Sequence, residues 1–175
     1  MIVNMDDYRR ITILVNQNRD IVIFPKSESK IPELDEDGTI LGYLCKDAYF
    51  PIDLKCPYSE SELASKIQYG IEEFGKHECY EVEKPTLEEK YYGIKGFKNA
   101  IKGHRLITLG WDNIDGKYVS LQIPLKRGHA YIGINKSYLP ENADWNDYAK
   151  CVINYIESDL ESFSAYKQFK SKLNL

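Results

Sequence analysis

The sequence predicts an α+β fold, in which an antiparallel β-sheet (an N-terminal hairpin plus a central three-stranded meander) packs against two main helices. Three observations predict it. Apolar residues fall on alternate positions in residues 11–15 and again between Leu106 and Ile134, the period of a strand with one face buried. They recur at steps of three and four in residues 59–75 and 145–163, the period of an amphipathic helix. Turn chemistry separates the strands, most clearly in DNIDG at 112–116 and KRG at 126–128.

In "RRITILVNQNRDIVIFP" two short strands flank a turn at Asn16–Arg19, with Ile11, Ile13 and Val15 on one face and Pro25 closing the pair. An acidic loop at Glu33–Asp37 and a Gly38 turn precede a third strand that runs through Tyr43. A helix follows in "YSESELASKIQYGIEEFGKH". Ser59 caps it in a capping box with Glu62, Leu63, Ile67, Ile71 and Phe74 form its apolar stripe, and Gly75 suits its end.

The meander strands present Ile107, Leu109 and Trp111, then Val119, Leu121 and Ile123, then Ala130, Ile132 and Ile134. The C-terminal helix carries Trp145, Tyr148, Ala149, Val152, Ile156, Leu160 and Phe163 on one stripe, with Asp144 as its cap and Asp147 in its first turn. The tail "YKQFKSKLNL" either continues that helix or frays.

With 175 residues the chain fits one domain, 1–175, able to bury roughly 70% of its unfolded surface. No run of 18 apolar residues exists, so no membrane span is expected. The N-terminus has no apolar signal region, and Cys45, Cys56, Cys79 and Cys151 form no CxxC pair, so reduced thiols and a cytoplasmic location are expected. Charge is uneven. Residues 1–89 hold 10 Lys/Arg against 19 Asp/Glu, while residues 90–136 hold 9 against 2, an asymmetry that can steer a charged partner.

For chemistry the sequence offers little. His77, His104 and His129 share no helix face, and "HEC" at 77–79 lacks two ligands of a zinc site, so they read as core or surface histidines. Asp53-x-Lys55 and Glu88-Glu89-Lys90 carry the acid-x-lysine element of metal nucleases, without a convincing upstream acid. No catalytic residue, metal or cofactor is expected, and the chain is not read as an enzyme.

The segment "YYGIKGFKNAIKGHRLITLGW" allows two readings. Lys90, Lys95, Lys98, Lys102 and Arg105 can pair phosphates while Tyr91, Tyr92 and Phe97 stack bases around the GxxG at 93–96. Alternatively, Ile94, Phe97 and Ile101 are the buried side of a short helix whose lysines are merely solvated. Acidic residues cluster at Glu33, Asp35, Glu36 and Asp37 and again at Glu78, Glu81, Glu83, Glu88 and Glu89. Such runs are commonly solvated surface, and they also suit a protein that covers a basic, phosphate-seeking site.

The succession of "GIKGFKNAIKG", "RLITLGW", "DNIDGK", "YVSLQIPLKRGHAY" and "ADWNDYAKCVINYI" resembles the immunity proteins of bacterial contact-dependent growth inhibition, most closely over residues 90–160. The resemblance implies a Whirly-like fold and a cytoplasmic partner, the cognate C-terminal toxin domain of an exported effector, expected to be a nuclease. It implies no membrane contact and no direct nucleic-acid contact. Toxin-binding residues are then expected at Glu33, Asp35, Glu36, Asp37, Tyr43, Tyr91 and Tyr92, with an edge strand open to a toxin hairpin. A Whirly-like single-stranded nucleic-acid binder is the alternative.

Overall fold

The computed structural model describes residues 9–43, 46–47, 50–79, 84–127 and 131–175, with the side chains of 28–29, 41–43 and 46–47 outside the description. His129, Ala130, Cys45, Glu81 and Glu83 therefore lie outside the described residues.

The first hairpin forms as its alternation predicts. Strand β1 (Arg9–Val15) pairs antiparallel with β2 (Ile21–Ser29), and Asn16 Oδ1 accepts from Asn18 N and Asp20 N, both at 2.9 Å, to hold the turn. Pro25 does not end β2, contrary to expectation. It stands opposite Ile11 while the strand continues to Ser29. Beyond β2, the short strand β6 (Ile52–Leu54) pairs with Ile21–Ile23 and β5 (Lys46–Asp47) pairs with Lys26–Ser27. Pro25 falls in the gap between these two outer partners, where no ladder on that side needs a donor.

The predicted third strand is half of a separate ribbon. Among the described residues β3 (Pro32–Leu34) pairs only with β4 (Ile40–Tyr43), Tyr43 opposite Pro32 and Leu34 opposite Ile40. The outer edge of β2 is already taken in turn by β6, β5 and β7 (Glu78–Cys79), the last of them parallel, so the ribbon has no place on the main sheet.

The meander is β8 (Arg105–Asp112), β9 (Gly116–Pro124) and β10 (Tyr131–Tyr138). Its first strand pairs along the whole of β1, giving the order β10-β9-β8-β1-β2 and placing β1 in the centre. Asp112 Oδ1 accepts from Ile114 N and Asp115 N to close the β8–β9 turn. Ile132 and Ile134 share the core side, and a bulge between Gly133 and Asn135 leaves Ile134 without a register partner on β9.

Two thirteen-residue helices cover one face of the sheet: α1 (Glu60–Glu72) and α4 (Trp145–Glu157). Both start in capping boxes: Ser59 with Glu62 as predicted, and Asp144, the predicted cap, with Asp147, which was expected only as a favourable first-turn charge. Ile11, Ile13, Val15, Ile107, Leu109, Val119, Leu121 and Ile123 meet Leu63, Ile67, Ile71, Tyr148, Val152 and Ile156 in one core. Gly70 lets α1 come close, for a Cβ there would lie 3.1 Å from Cγ2 of Ile23.

The other face is also buried. Leu14, Val22, Phe24 and Leu106 are covered by α2 (Leu87–Tyr92), α3 (Phe97–Ala100) and Ile101. Phe97 and Ile101 lie on the buried side as predicted, but Ile94 is exposed in the turn between the two helices.

Helix α4 stops at Glu157, short of Leu160 and Phe163. Ser158 turns extended (ψ 137°), and the next residue, Asp159, caps a 3-10 turn over Leu160–Ser162 by accepting from Glu161 N at 3.0 Å. The guanidinium of Arg105 seals the end, donating to Tyr155 O at 2.6 Å and Ser158 O at 2.9 Å. The tail then neither frays nor extends α4. It forms α5 (Ser164–Phe169) and a further turn, and brings Leu173, fully buried, into a bridge with Leu125. Leu173→Ala should therefore cost about 3 kcal/mol of stability. An unshifted urea midpoint would mean that the tail is not docked.

Candidate functional site

The expected binding residues fall into two groups on different elements. The first is the β3–β4 ribbon. Asp35 Oδ1 accepts from Asp37 N at 3.0 Å and Thr39 N at 2.8 Å, and Gly38 takes a positive φ of 81°, so the turn spans Asp35–Thr39. Glu33 lies in β3 itself rather than in the loop. Glu33, Glu36 and Asp37 are exposed, whereas Asp35 is half-buried and works as the turn's internal acceptor.

Beneath this acidic tip stand two apolar residues that the sequence reading missed. Leu34 and Ile40 are direct cross-strand partners and are 54% and 55% exposed. Side chains facing each other across a ribbon behave as one patch. The signal was present in "ELDEDGTI": once the acidic run is read as a tight turn, its flanking apolar residues must stand opposite one another. Tyr43, at the other end of β4, pairs with Pro32. It therefore belongs to the ribbon and not to an edge of the main sheet.

The second group is Tyr91 and Tyr92 at the end of α2. They pack edge-on at 4.7 Å, Tyr91 also edge-on to Phe24 at 6.2 Å and Tyr92 against His104 at 4.8 Å. The Tyr91 hydroxyl donates to Asp53 Oδ1. Burial, and then that carboxylate, push the Tyr91 phenol up to about 12; burial raises Tyr92 as well. Both rings cover the second face of the sheet, which leaves them half-buried packing residues.

The basic segment is likewise committed to structure. Lys98 Nζ donates to Leu125 O at 2.8 Å, and Arg105 is bound to the end of α4. Gly93 ends α2 with a φ of 65°, and Glu89 ties the GxxG turn down. Its carboxylate accepts from Thr86 N at 2.8 Å and Gly96 N at 2.6 Å, and these bonds lower its pKa. Lys90, Lys95 and Lys102 remain exposed.

The nuclease-like pairs do not converge. Asp53 accepts from Tyr91, Lys55 pairs with Asp20 at 3.5 Å, Glu88 is buried and Glu89 is a cap. His77 lies 3.8 Å from Glu73 and edge-on to Phe50, while His104 packs on Tyr92 with its pKa lowered by burial. Among the described residues no three His, Cys, Asp or Glu side chains assemble as a metal-holding group. No helix among them is long and apolar enough to cross a membrane.

No known protein family matches the chain, and no curated protein matches it. A solved structure, the protein of unknown function NMB0488 from Neisseria meningitidis, is similar with a TM-score of 0.53 at 10% identity, over 89% of this chain and 98% of that one. At that identity the likeness speaks to fold alone: a mixed α+β fold with an antiparallel sheet and several packed helices.

Proposed function

We propose that the protein is an immunity protein of contact-dependent growth inhibition. In this reading its sheet and helices are arranged in the Whirly manner, and it neutralises a nuclease toxin domain in the cytoplasm by binding it, with no chemistry of its own. One observation carries the reading: the β3–β4 ribbon presents an acidic tip, Glu36 and Asp37, directly above the exposed Leu34–Ile40 pair. A nuclease must attract polyanions, so its cleft is basic, and an inhibitor opposes it with carboxylates around an apolar anchor. The resemblance over residues 90–160 supports the same reading.

The test is direct binding. In this reading the gene immediately upstream is expected to encode a large exported protein, and the full chain is mixed with the C-terminal domain of that protein. A one-to-one complex and loss of that domain's nuclease activity at equimolar ratio are expected. Absence of binding at micromolar concentrations would overturn the proposal. Capture of a single-stranded oligonucleotide by the free protein would replace it with the nucleic-acid reading.

A further inference from the structure

The β8–β9 turn, the residues following β10 and the start of α4 enclose an open cleft of about 710 Å³. Its inner wall is aromatic. Trp111 near the end of β8 and Trp145 at the first position of α4 have ring centroids 6.0 Å apart and tilted by 46°. Trp145 in turn stacks on Tyr148, with ring centroids 5.9 Å apart and planes inclined by 29°. The Tyr148 hydroxyl donates to Gly110 O at 2.9 Å, which fixes the wall to the sheet.

Leu139 and Ala143 extend the apolar wall, and four carboxylates stand among the remaining lining residues. Asp112, Asp115, Glu141 and Asp144 face a single cation, Lys117, whose Nζ is held by Ala143 O at 2.6 Å. The N-terminus of α4 would by itself oppose a cation, but Asp144 and Asp147 already occupy its first N–H groups. Beside the cleft the molecule already uses the same chemistry internally. Lys136 sits 4.5 Å from the Tyr118 ring centroid and 5.2 Å from that of Tyr138 while pairing with Asp115. That pairing leaves Glu141 to face a ligand, together with the second carboxylate oxygens of Asp112 and Asp144, whose Oδ1 atoms hold the β8–β9 turn and the start of α4.

We propose that this cleft is a receptor for an arginine side chain presented by a partner protein. Indole faces are the strongest aromatic partners for a cation, and carboxylates on the rim supply its counter-charge. A guanidinium suits the site better than an ammonium because it is planar, weakly hydrated and able to stack on a ring while its edge bonds carboxylate oxygens. The volume exceeds what one side chain fills, so residues flanking the arginine are accommodated too. None of the lining residues belongs to the β3–β4 ribbon or to α2. The cleft is thus a second surface, and its failure would leave the toxin-binding reading intact.

The chain's 2 tryptophans are both in this cleft, so tryptophan fluorescence of the intact protein reports on it directly. The probe is the peptide acetyl-Gly-Arg-Gly-amide, titrated beside its neutral citrulline counterpart and tetramethylammonium. A saturable change is expected with the arginine peptide, weaker at high salt and about tenfold weaker for citrulline. Glu141 is exposed and caps nothing, so Glu141→Gln should weaken binding about threefold without altering the melting curve. Trp145→Leu should weaken it about tenfold, with Trp111 remaining as the reporter. Equal responses to arginine and citrulline, or no saturable response, would overturn the proposal. Tighter binding of tetramethylammonium than of the peptide would also overturn it, in favour of a site for free quaternary ammonium.

Discussion

Gly110→Ala is expected to destabilise the protein by about 4 kcal/mol or more, for among the glycines whose surroundings are described it meets the closest backbone. A Cβ at Gly110 would lie 1.9 Å from Arg9 O, 2.9 Å from Arg9 C and 3.0 Å from Arg10 Cα. All three atoms are backbone of the neighbouring strand, and Arg10 is the register partner of Gly110, so no rotamer change relieves the overlap. Relief requires β8 to move away from β1, the central strand of the sheet. That movement would separate the fully buried pairs Ile11–Leu109 and Ile13–Ile107 and pull Gly110 O from the Tyr148 hydroxyl. Gly133→Ala is the control. It lies in β10 of the same sheet with nothing within 4 Å of a Cβ, so it should change stability by less than about 0.5 kcal/mol. Urea unfolding of both variants decides the matter, and a Gly110→Ala midpoint close to that of the parent would refute the close approach.

The requirement at Gly110 illustrates what was legible in the sequence and what was not. Alternation in "RLITLGW" places a strand there and puts Ile107, Leu109 and Trp111 on the core side. It says nothing of which backbone lies against the glycine, because β1 is 95 or more residues away along the chain and strand order depends on contacts that periodicity does not encode. Caps were readable for the opposite reason. Ser59 with Glu62 and Asp144 with Asp147 satisfy each other within three residues, so their chemistry is local.

The second face of the sheet was half readable. "ITILV" and "IVIF" are nearly continuous apolar runs, which signal a strand buried on both sides, yet attention to Ile11, Ile13 and Val15 leaves Leu14, Val22 and Phe24 without a partner. Their cover is the "YYGIKGFKNAI" stretch at 91–101. Its aromatic residues look available for a ligand in sequence and turn out to be packing against that face. Expected site residues therefore separate by context. Glu36 and Asp37 project from a turn that places no burial demand on them, whereas Tyr91 and Tyr92 answer one.

On the proposed function the ribbon separates two kinds of binding contribution, and its variants are expected to move different rate constants. Glu36 and Asp37 are exposed and bear no turn hydrogen bond through their carboxylates, so Glu36→Lys with Asp37→Lys reverses charge without dismantling the hairpin. Asp35 must be left as it is or changed to Asn, since its oxygen accepts from Asp37 N and Thr39 N. Against the proposed partner, a basic toxin domain, the double reversal should slow association by about tenfold to a hundredfold at low ionic strength. The difference should shrink as the Debye length falls from about 30 Å at 0.01 M to about 8 Å at 0.15 M salt. Leu34→Ala with Ile40→Ala should do the reverse. These side chains are exposed before binding and desolvated after it, so their loss leaves association nearly unchanged and speeds dissociation by about tenfold or more. Neither pair should shift the melting temperature appreciably, because all four side chains already face solvent. Stopped-flow association and surface-capture dissociation measure the two constants separately. If the charge-reversed protein associates as fast as the parent at every salt concentration, the acidic tip is plain solvated surface. If the alanine pair also dissociates no faster, the toxin engages a different face of the molecule.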